Sequence, residues 1–202
     1  MFVELLRAKL AGVYDLSDTQ VEQLRHHYEL LTRWNRVLNL TSVRSLEEAV
    51  ERHYCESIFA ARYLPEGAAS VADVGSGAGF PGIPMAIVRP DCAFALIESH
   101  QRKAAFLKEA VRELPNVRVL AKRAADVVDR FDCVVSRAVR YADIAADLKR
   151  LGRNAEILTG EVRAEEMVGF DWQEPIRLPW GDRRYLWMGL NSVPYGDVSR
   201  GT

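Results

Sequence analysis

Three glycines separated by single residues, Gly75, Gly77 and Gly79, come directly after an apolar run that ends at Val74. Glycine lets a backbone approach a ligand closely and adopt conformations that other residues avoid. In an open parallel sheet, ligands bind beyond the carboxyl ends of the strands, which is where such a loop lies. The spacing therefore predicts a binding loop for a small molecule.

Two carboxylates flank this loop and indicate which small molecule it binds. The dinucleotide fingerprint needs glycine at position 80, which is Phe80 here, so a ligand with a pyrophosphate is disfavoured. Asp73 precedes the loop and is expected to form an acidic rim for a ligand with ammonium and sulfonium groups. Glu98 ends the next apolar run, where a carboxylate accepts hydrogen bonds from both ribose hydroxyls. Together these features predict S-adenosylmethionine as the cofactor.

The elements that position this loop follow an alternating pattern. After residue 70, short β-branched runs alternate with helical stretches, which predicts right-handed βαβ units and a doubly wound, mostly parallel α/β sheet. Segments 172–178 and 184–190 flank a turn signal and predict a C-terminal antiparallel hairpin. Parallel strands are expected at 70–74, 93–98, 117–121, 133–137 and 156–159, with helices near 82–89, 101–114, 124–129 and 142–151.

The chain before the sheet has a helical pattern. Ser17 with Gln20 and Ser45 with Glu48 form capping boxes, and apolar residues follow each pair at helical spacing. We therefore predict an N-terminal helical extension over 1–66 and a cofactor-binding α/β domain over 67–202.

Composition limits the classes of function. The 202 residues are 49% hydrophobic, with a mean hydropathy of −0.13, and contain no run of roughly 18 apolar residues. We expect a cytoplasmic protein without a membrane span. Three widely separated cysteines provide neither a disulfide framework nor a Cys-x-x-Cys metal site, so buried free thiols and no metal are expected.

The charge is unevenly distributed although the net charge is −1. Residues 101–130 carry eight Lys and Arg against four Asp and Glu. This asymmetry is compatible with a basic face for phosphates, and equally with a solvated helix surface.

Six motifs occur in the order found in one known family. They are Trp34-Asn35 with Leu38-Asn39-Leu40-Thr41, Arg52-His53 with Glu56-Ser57, the glycine loop with Phe80-Pro81-Gly82-Ile83-Pro84, Arg102-Lys103 with Phe106-Leu107, Arg123-Ala124, and Phe131-Asp132 with Ser136-Arg137-Ala138. Over roughly residues 20–190 the sequence resembles the bacterial small-subunit ribosomal RNA guanine-N7 methyltransferases, known as RsmG or GidB.

The resemblance implies a Rossmann-like class I methyltransferase domain and an enzyme that transfers a methyl group from S-adenosylmethionine to N7 of a guanine in 16S ribosomal RNA. Its expected partner is 16S ribosomal RNA or the small ribosomal subunit, and we expect a monomer. The resemblance also implies that Phe80 and the backbone of Ala124 and Ala125 surround the adenine, and that Gly75 and Arg137 contact the cofactor.

This chemistry needs few catalytic groups. Guanine N7 has an in-plane lone pair and no proton, so attack on the sulfonium methyl requires no general base and positioning dominates. Arg137 is predicted to orient the cofactor carboxylate or an RNA phosphate, with a structural salt bridge as the alternative. His53 and Glu56 share a helix face from which they close over the cofactor or bind the base, although a structural hydrogen bond fits His53 equally well. The predicted phosphate contacts are Arg102, Lys103 and Arg123.

Two other functions are compatible with these residues. One is a methyltransferase that acts on a small molecule or a protein, and the other is a non-catalytic RNA-binding or assembly module that keeps the loop. The aromatic residues do not separate them, because aromatics at helical or strand spacing are mostly core residues. Tyr28, Trp34, Trp172, Trp180 and Trp187 are therefore expected in the core, with base stacking as the alternative.

Overall fold

One mixed sheet forms the centre of the protein. The computed structural model describes residues 1–43, 45–160 and 164–191, and eight strands lie within them. These strands are β1 (Ser70–Val74), β2 (Ala93–Ile97), β3 (Val117–Leu120), β4 (Phe131–Arg137), β5 (Gly152–Thr159), β6 (Asp171–Trp172), β7 (Ile176–Arg177) and β8 (Tyr185–Leu190).

The strand order places a ligand crevice at the end of β1. The order is β3-β2-β1-β4-β5-β8-β6, with β7 paired to β8. Strands β1 to β5 are parallel, whereas β8 is antiparallel to β5, and β6 and β7 are antiparallel to β8. Because the chain winds outward from β1 through β3 and then returns to β4 on the other side, the order reverses between β1 and β4, where α/β folds bind ligands.

Helices cover the two faces of the sheet. Alternate residues of β1 enter different cores: Val71 packs into the cluster that holds the N-terminal helices, and Ala72 into the cluster on the opposite face. The helices are α1 (Phe2–Leu10), α2 (Asp18–Leu38), α3 (Leu46–Ala49), a π-helical turn (Val50–Cys55), α4 (Glu56–Ala60), α5 (Gly82–Val88), α6 (Gln101–Ala110) and α7 (Tyr141–Leu151), with 3₁₀ turns at Ala124–Asp126 and Ala164–Glu166.

The N-terminal helices share a hydrophobic core with the sheet. Leu6 of α1 and Leu24 of α2 lie in the same buried cluster as Phe94 of β2. Polar contacts also join the two parts, since Trp34 Nε1 donates a hydrogen bond to the Glu109 carboxylate of α6 at 3.1 Å. The helical extension therefore forms one wall of the fold, and the domain boundary expected at residue 66 stays a prediction.

Most of the predicted elements are confirmed, and several differ in extent or type. Strand β5 begins at Gly152, four residues before its predicted start, because Gly152 pairs with Phe131 of β4, and Asn154 with Leu190 of β8. The helix predicted at 124–129 is a single 3₁₀ turn, and the segment 172–178 forms two short strands, β6 and β7, against β8.

Both capping serines start helices as expected, but only one capping box is complete. Ser17 and Gln20 exchange two hydrogen bonds at the start of α2. Ser45 accepts a hydrogen bond from the Glu48 N–H, while the Glu48 side chain forms an ion pair with Arg52 instead. No helix within the described residues is long and apolar enough to cross a membrane. The three cysteines are free and buried.

Glu156 of β5 gives a prediction about stability. Its side chain is buried, and neither carboxylate oxygen has a hydrogen-bond partner among the described residues. Burial raises the pKa of Glu156 from 4.5 to about 8. A raised pKa in the folded state means that the folded protein favours the protonated carboxyl. The free energy of unfolding therefore falls as the pH rises from the pKa of the unfolded chain through 8. We expect Glu156→Gln to exceed the wild type in free energy of unfolding by about 2–4 kcal/mol at pH 8 and by far less at pH 5.

Urea unfolding from pH 5 to pH 8 measures this difference. Glu66→Gln is the matched control, because Glu66 is exposed and the same chemical change there should leave the pH dependence unaltered. An equal pH dependence of the Glu156→Gln and wild-type proteins would contradict the assignment.

Candidate active site

The glycine loop lies at the carboxyl end of β1 and has the backbone conformation that only glycine adopts easily. Its three glycines have φ angles of +75°, +55° and +87° in chain order. A Cβ at Gly75 would lie 2.8 Å from Val139 Cγ2, and one at Gly79 would lie 2.4 Å from Ile83 Cδ1. A Cβ at Gly77 would approach nothing closer than the Gly75 carbonyl oxygen at 3.8 Å. Gly75 and Gly79 are thus required by packing, while Gly77 borders open space.

Asp73 lies beneath this loop, which corrects the expectation that it forms an acidic rim. Its side chain is fully buried, and Oδ2 accepts a hydrogen bond from the Gly82 N–H at 2.9 Å. Burial raises the pKa of Asp73 to about 7, although the bond from Gly82 opposes this shift. A Cβ at Gly82 would come 2.6 Å from Asp73 Oδ2, so this contact requires glycine. Asp73 therefore ties the end of β1 to the first turn of α5.

Glu98 lies just after β2 and borders the same space as Gly77. Its Oε2 accepts a hydrogen bond from the Gly77 N–H at 3.0 Å, and its Oε1 accepts one from the His100 N–H at 2.7 Å. Each carboxylate oxygen has a further lone pair, so both can also accept a hydroxyl. Glu98 thus fixes the loop and still presents acceptors to a ligand.

Three charged side chains meet near the carboxyl end of β4. Glu56 is fully buried and receives two hydrogen bonds from Arg184, from Nε at 2.9 Å and from Nη2 at 2.7 Å. Arg137 Nε lies 3.6 Å from Glu56 Oε2 and has no hydrogen-bond partner among the described residues. Burial lowers the pKa of Arg137 to about 10, which leaves it charged at neutral pH. The ion pair with Glu56 therefore holds the Arg137 side chain at the edge of the strands, while its Nε stays available for an anion.

His53 is a buried neutral ring in the π-helical turn. Its Nε2 lies 2.7 Å from Thr41 Oγ1, and its ring stacks on Phe80 with 4.4 Å between ring centroids. Burial lowers the pKa of His53 to about 2, so it carries no charge at neutral pH. Its Nδ1 has no hydrogen-bond partner among the described residues. The ring therefore backs Phe80 and the loop, and it is not a cationic group.

A second buried histidine, His27 of α2, holds the glycine loop from behind. Tyr54 Oη lies 3.0 Å from His27 Nδ1, and the Ala78 carbonyl oxygen lies 3.1 Å from His27 Nε2. A hydroxyl that donates to Nδ1 leaves the proton on Nε2, which then donates to Ala78. Burial lowers the pKa of His27 to about 4, so the ring stays neutral.

A cleft of about 480 Å³ lies above the carboxyl ends of β1, β2 and β4. Its lining includes the predicted residues Gly75, Gly77, Phe80, Glu98 and Arg137, whereas Gly79 and Asp73 lie outside it. The other charged residues that line it are Glu48, Arg52, Lys103 and Arg184.

Comparison with known proteins gives a family match that includes every residue lining this cleft except Arg184. The sequence model of the GidB family, described as rRNA small subunit methyltransferase G, matches residues 20–171. This chain belongs to the rRNA small subunit methyltransferase G family. A relative of that name from Dichelobacter nodosus is 43% identical over 141 residues, which cover 67% of this chain and 66% of the relative. Another from Neisseria gonorrhoeae is 42% identical over 146 residues, which cover 70% and 69%. The matched region thus spans about two-thirds of these relatives.

Solved methyltransferases have the same fold. A magnesium protoporphyrin IX methyltransferase from Synechocystis, with S-adenosylmethionine bound, superposes with a TM-score of 0.63 at 13% identity, covering 88% of this chain and 99% of the other. A methyltransferase dependent on S-adenosylmethionine from Aquifex aeolicus gives 0.56 at 19% identity, covering 71% and 93%. At these identities the likeness concerns the fold alone, and it confirms the predicted Rossmann-like class.

Ala124 and Ala125 lie outside the lining of the cleft in this family member. They form the 3₁₀ turn after β3, where Arg150 Nη2 donates a hydrogen bond to the Ala124 carbonyl oxygen at 2.6 Å. The Glu98 N–H donates to the Leu120 carbonyl oxygen at 3.1 Å, so this turn follows the same edge of the sheet as Glu98. Their contact with adenine stays a prediction.

The predicted RNA contacts of this family member occupy different positions. Lys103 is half-buried and lines the cleft, whereas Arg102 and Arg123 are exposed and lie outside its lining. Their contacts with RNA also stay predictions.

The predicted site did not include His27, Thr41 or Arg184, although Thr41 belongs to one of the quoted motifs. Arg184 is 128 positions from Glu56, and no local pattern relates them. A usable signal existed for His27, because it lies three residues after Leu24 and four before Leu31, on the apolar face of α2. A polar residue on such a face needs a buried hydrogen-bond partner.

Proposed function

We propose that the 480 Å³ cleft binds S-adenosylmethionine and receives a guanine of small-subunit ribosomal RNA at its mouth. The family description, rRNA small subunit methyltransferase G, supports methyl transfer to small-subunit ribosomal RNA. The resemblance in sequence implies S-adenosylmethionine as the methyl donor and N7 of a guanine as the acceptor. The observation that carries the site assignment is the presence of Gly77, Glu98 and Arg137 around one opening.

The residues around this opening fit the cofactor group by group. Arg137 has a buried guanidinium whose Nε has no hydrogen-bond partner among the described residues, which suits the cofactor carboxylate. The open space at the Cβ position of Gly77 suits a close approach to backbone. Glu98 has acceptor capacity left for the ribose hydroxyls. When bound, the cofactor supplies an electrophilic methyl group on a sulfonium.

The chain itself contributes positioning and electrostatics. Guanine N7 has no proton to remove, so a site without a general base is sufficient. The pKa of about 2 makes His53 a very weak base, and Asp73 lies outside the lining of the cleft. His27 and Glu98 form hydrogen bonds with the loop backbone, and Asp73 accepts one from Gly82 just after the loop. Holding two reactants in near-attack geometry lowers a barrier by about 7–11 kcal/mol, so we infer that these contacts serve catalysis by positioning the cofactor.

Mapping of 7-methylguanosine in small-subunit ribosomal RNA tests the function. A strain that lacks the gene should lose the modification at one guanine, and the wild-type gene should restore it. Unchanged methylation in the deleted strain would contradict the proposed function.

We also propose the finer features of its setting. The substrate supports a location in the cytoplasm, where ribosomal subunits are present. We expect the chain to act as a monomer. Light scattering of the purified protein measures its mass in solution.

A further inference from the structure

A second cavity of about 380 Å³ adjoins the cleft on the side of the N-terminal helices. We call it the side cavity, and it lies between α2 and the segment that holds α3 and the π-helical turn. Three residues, Thr41, Val43 and His53, line both the side cavity and the cleft. The hydrogen bond between Thr41 Oγ1 and His53 Nε2 therefore lies in a wall common to both spaces.

The lining of the side cavity combines a cation with apolar surface. Arg36 lines it, and no carboxylate does so among the described residues. Leu31, Leu46 and Ala49 supply apolar walls, on which a flat ring can pack, and Thr32 adds a hydroxyl. A cation beside an apolar slot suits a ligand that joins an anionic group to a planar ring.

The charges along α2 also differ between its two halves. Arg25, in the first half, is held by ion pairs with Glu22 and Glu29. Arg36, in the last turn, is exposed and has no ion pair among the described residues. A cation near a helix C-terminus interacts favourably with the helix dipole, which gives the alternative that Arg36 acts only on stability.

We propose that the side cavity binds a second nucleotide of the RNA substrate, next to the guanine in the cleft, with the Arg36 guanidinium on its phosphate. This inference rests on the proposed function. Neighbouring nucleotides of one strand need neighbouring spaces, and the shared wall of Thr41, Val43 and His53 provides such a pair. Single-stranded RNA is bound through splayed bases and phosphate contacts, which matches an apolar slot with a cation.

Charge reversal at two positions of α2 tests the proposal. Arg36→Glu should raise the KM for unmethylated small subunits about tenfold, because the loss of one phosphate contact weakens the binding of RNA. The slope of log affinity against log salt concentration should also fall by about one. The dissociation constant for S-adenosylmethionine, measured by calorimetry, should be unchanged. Arg33→Glu is the matched control, because Arg33 is exposed on the same helix and does not line the side cavity.

A second pair of variants tests the space itself. Thr32 is exposed at the edge of the side cavity, so Thr32→Trp should fold and fill the cavity, and should raise the KM for small subunits. Val37→Trp adds the same bulk on an exposed position outside the lining and should leave the KM unchanged.

The outcomes distinguish this inference from the function on which it rests. If the wild type methylates small subunits but Arg36→Glu equals Arg33→Glu and Thr32→Trp equals Val37→Trp, the side cavity does not bind RNA. A change in unfolding free energy of Arg36→Glu without a change in KM would assign Arg36 to the helix dipole and overturn the inference. Failure of the wild type to methylate would overturn the proposed function, and this inference with it.

Discussion

Glu56→Gln is expected to lower the free energy of unfolding by about 3 kcal/mol and to reduce methyl transfer at least about tenfold. Glu56 is fully buried and is the carboxylate that lies between the guanidinium groups of Arg137 and Arg184. Removing one partner of a buried ion pair leaves uncompensated charge, which costs far more than the pair itself contributes. Arg137 would then lose the group that fixes its side chain at the edge of the cleft.

Two variants control for this effect. Glu22→Gln makes the same chemical change in an ion pair with Arg25 whose side chains are 63% and 37% exposed, so a far smaller loss of stability is expected, because solvent screens the pair. Glu56→Asp keeps the charge and shortens the side chain by one methylene, so it should recover most of the activity. Urea unfolding and methylation of small subunits measure the two consequences.

The result that would contradict the assignment is specific. If Glu56→Gln and Glu22→Gln cost the same free energy, the Glu56 cluster is not electrostatically coupled. If Glu56→Gln is less stable but its rate of methyl transfer is unchanged, Glu56 supports the fold and does not orient Arg137.

The sequence predicted the parts of the site that depend on local pattern. A glycine loop after a β-branched run and a carboxylate at the end of the next strand specify which strand ends face the ligand, because parallel strands place their carboxyl ends at one edge. Gly77 and Glu98 consequently line one cleft and are joined by a hydrogen bond at 3.0 Å. Local sequence patterns were therefore sufficient to predict that Gly77 and Glu98 lie in the same site.

Burial could not be predicted with the same success. Asp73 occupies the position expected for an acidic rim, yet its carboxyl points beneath the loop to the Gly82 N–H. Its location depends on the absence of a side chain at Gly82, where a Cβ would lie within 3 Å of both Leu96 and Asp73. Such three-body packing is not visible in the spacing of residues along the chain.

Contacts between distant segments were missed for a related reason. Arg184 follows a predicted turn in the C-terminal hairpin, while Glu56 lies in the helical extension, and their approach depends on β8 pairing with β5. The sequence predicted a hairpin here but not its partner strand. Antiparallel addition of β8 to β5 brings Arg184 to the carboxyl edge of the parallel strands, where it completes the cluster with Glu56.

Gly77→Val should raise the dissociation constant for S-adenosylmethionine more than about 100-fold, equivalent to about 2.7 kcal/mol. The Cβ position at Gly77 is open, so the added side chain would occupy the space that the cofactor needs instead of disturbing the protein's packing. The Gly77 N–H would remain available to Glu98, because the substitution does not remove it. Calorimetric titration of the purified variant measures the loss.

The backbone strain of this substitution needs a control, because a non-glycine residue at positive φ costs roughly 1–2 kcal/mol. Gly67 provides this control, because its φ of +72° resembles the +55° of Gly77. A Cβ at Gly67 would meet nothing within 4 Å. Gly67 lies before β1 and does not line the cleft, so Gly67→Val should have a similar loss of stability but bind the cofactor normally. Equal binding by both variants would remove the loop from the cofactor site. If only Gly77→Val binds the cofactor weakly, the loss comes from steric exclusion of the ligand, because Gly67→Val has similar backbone strain.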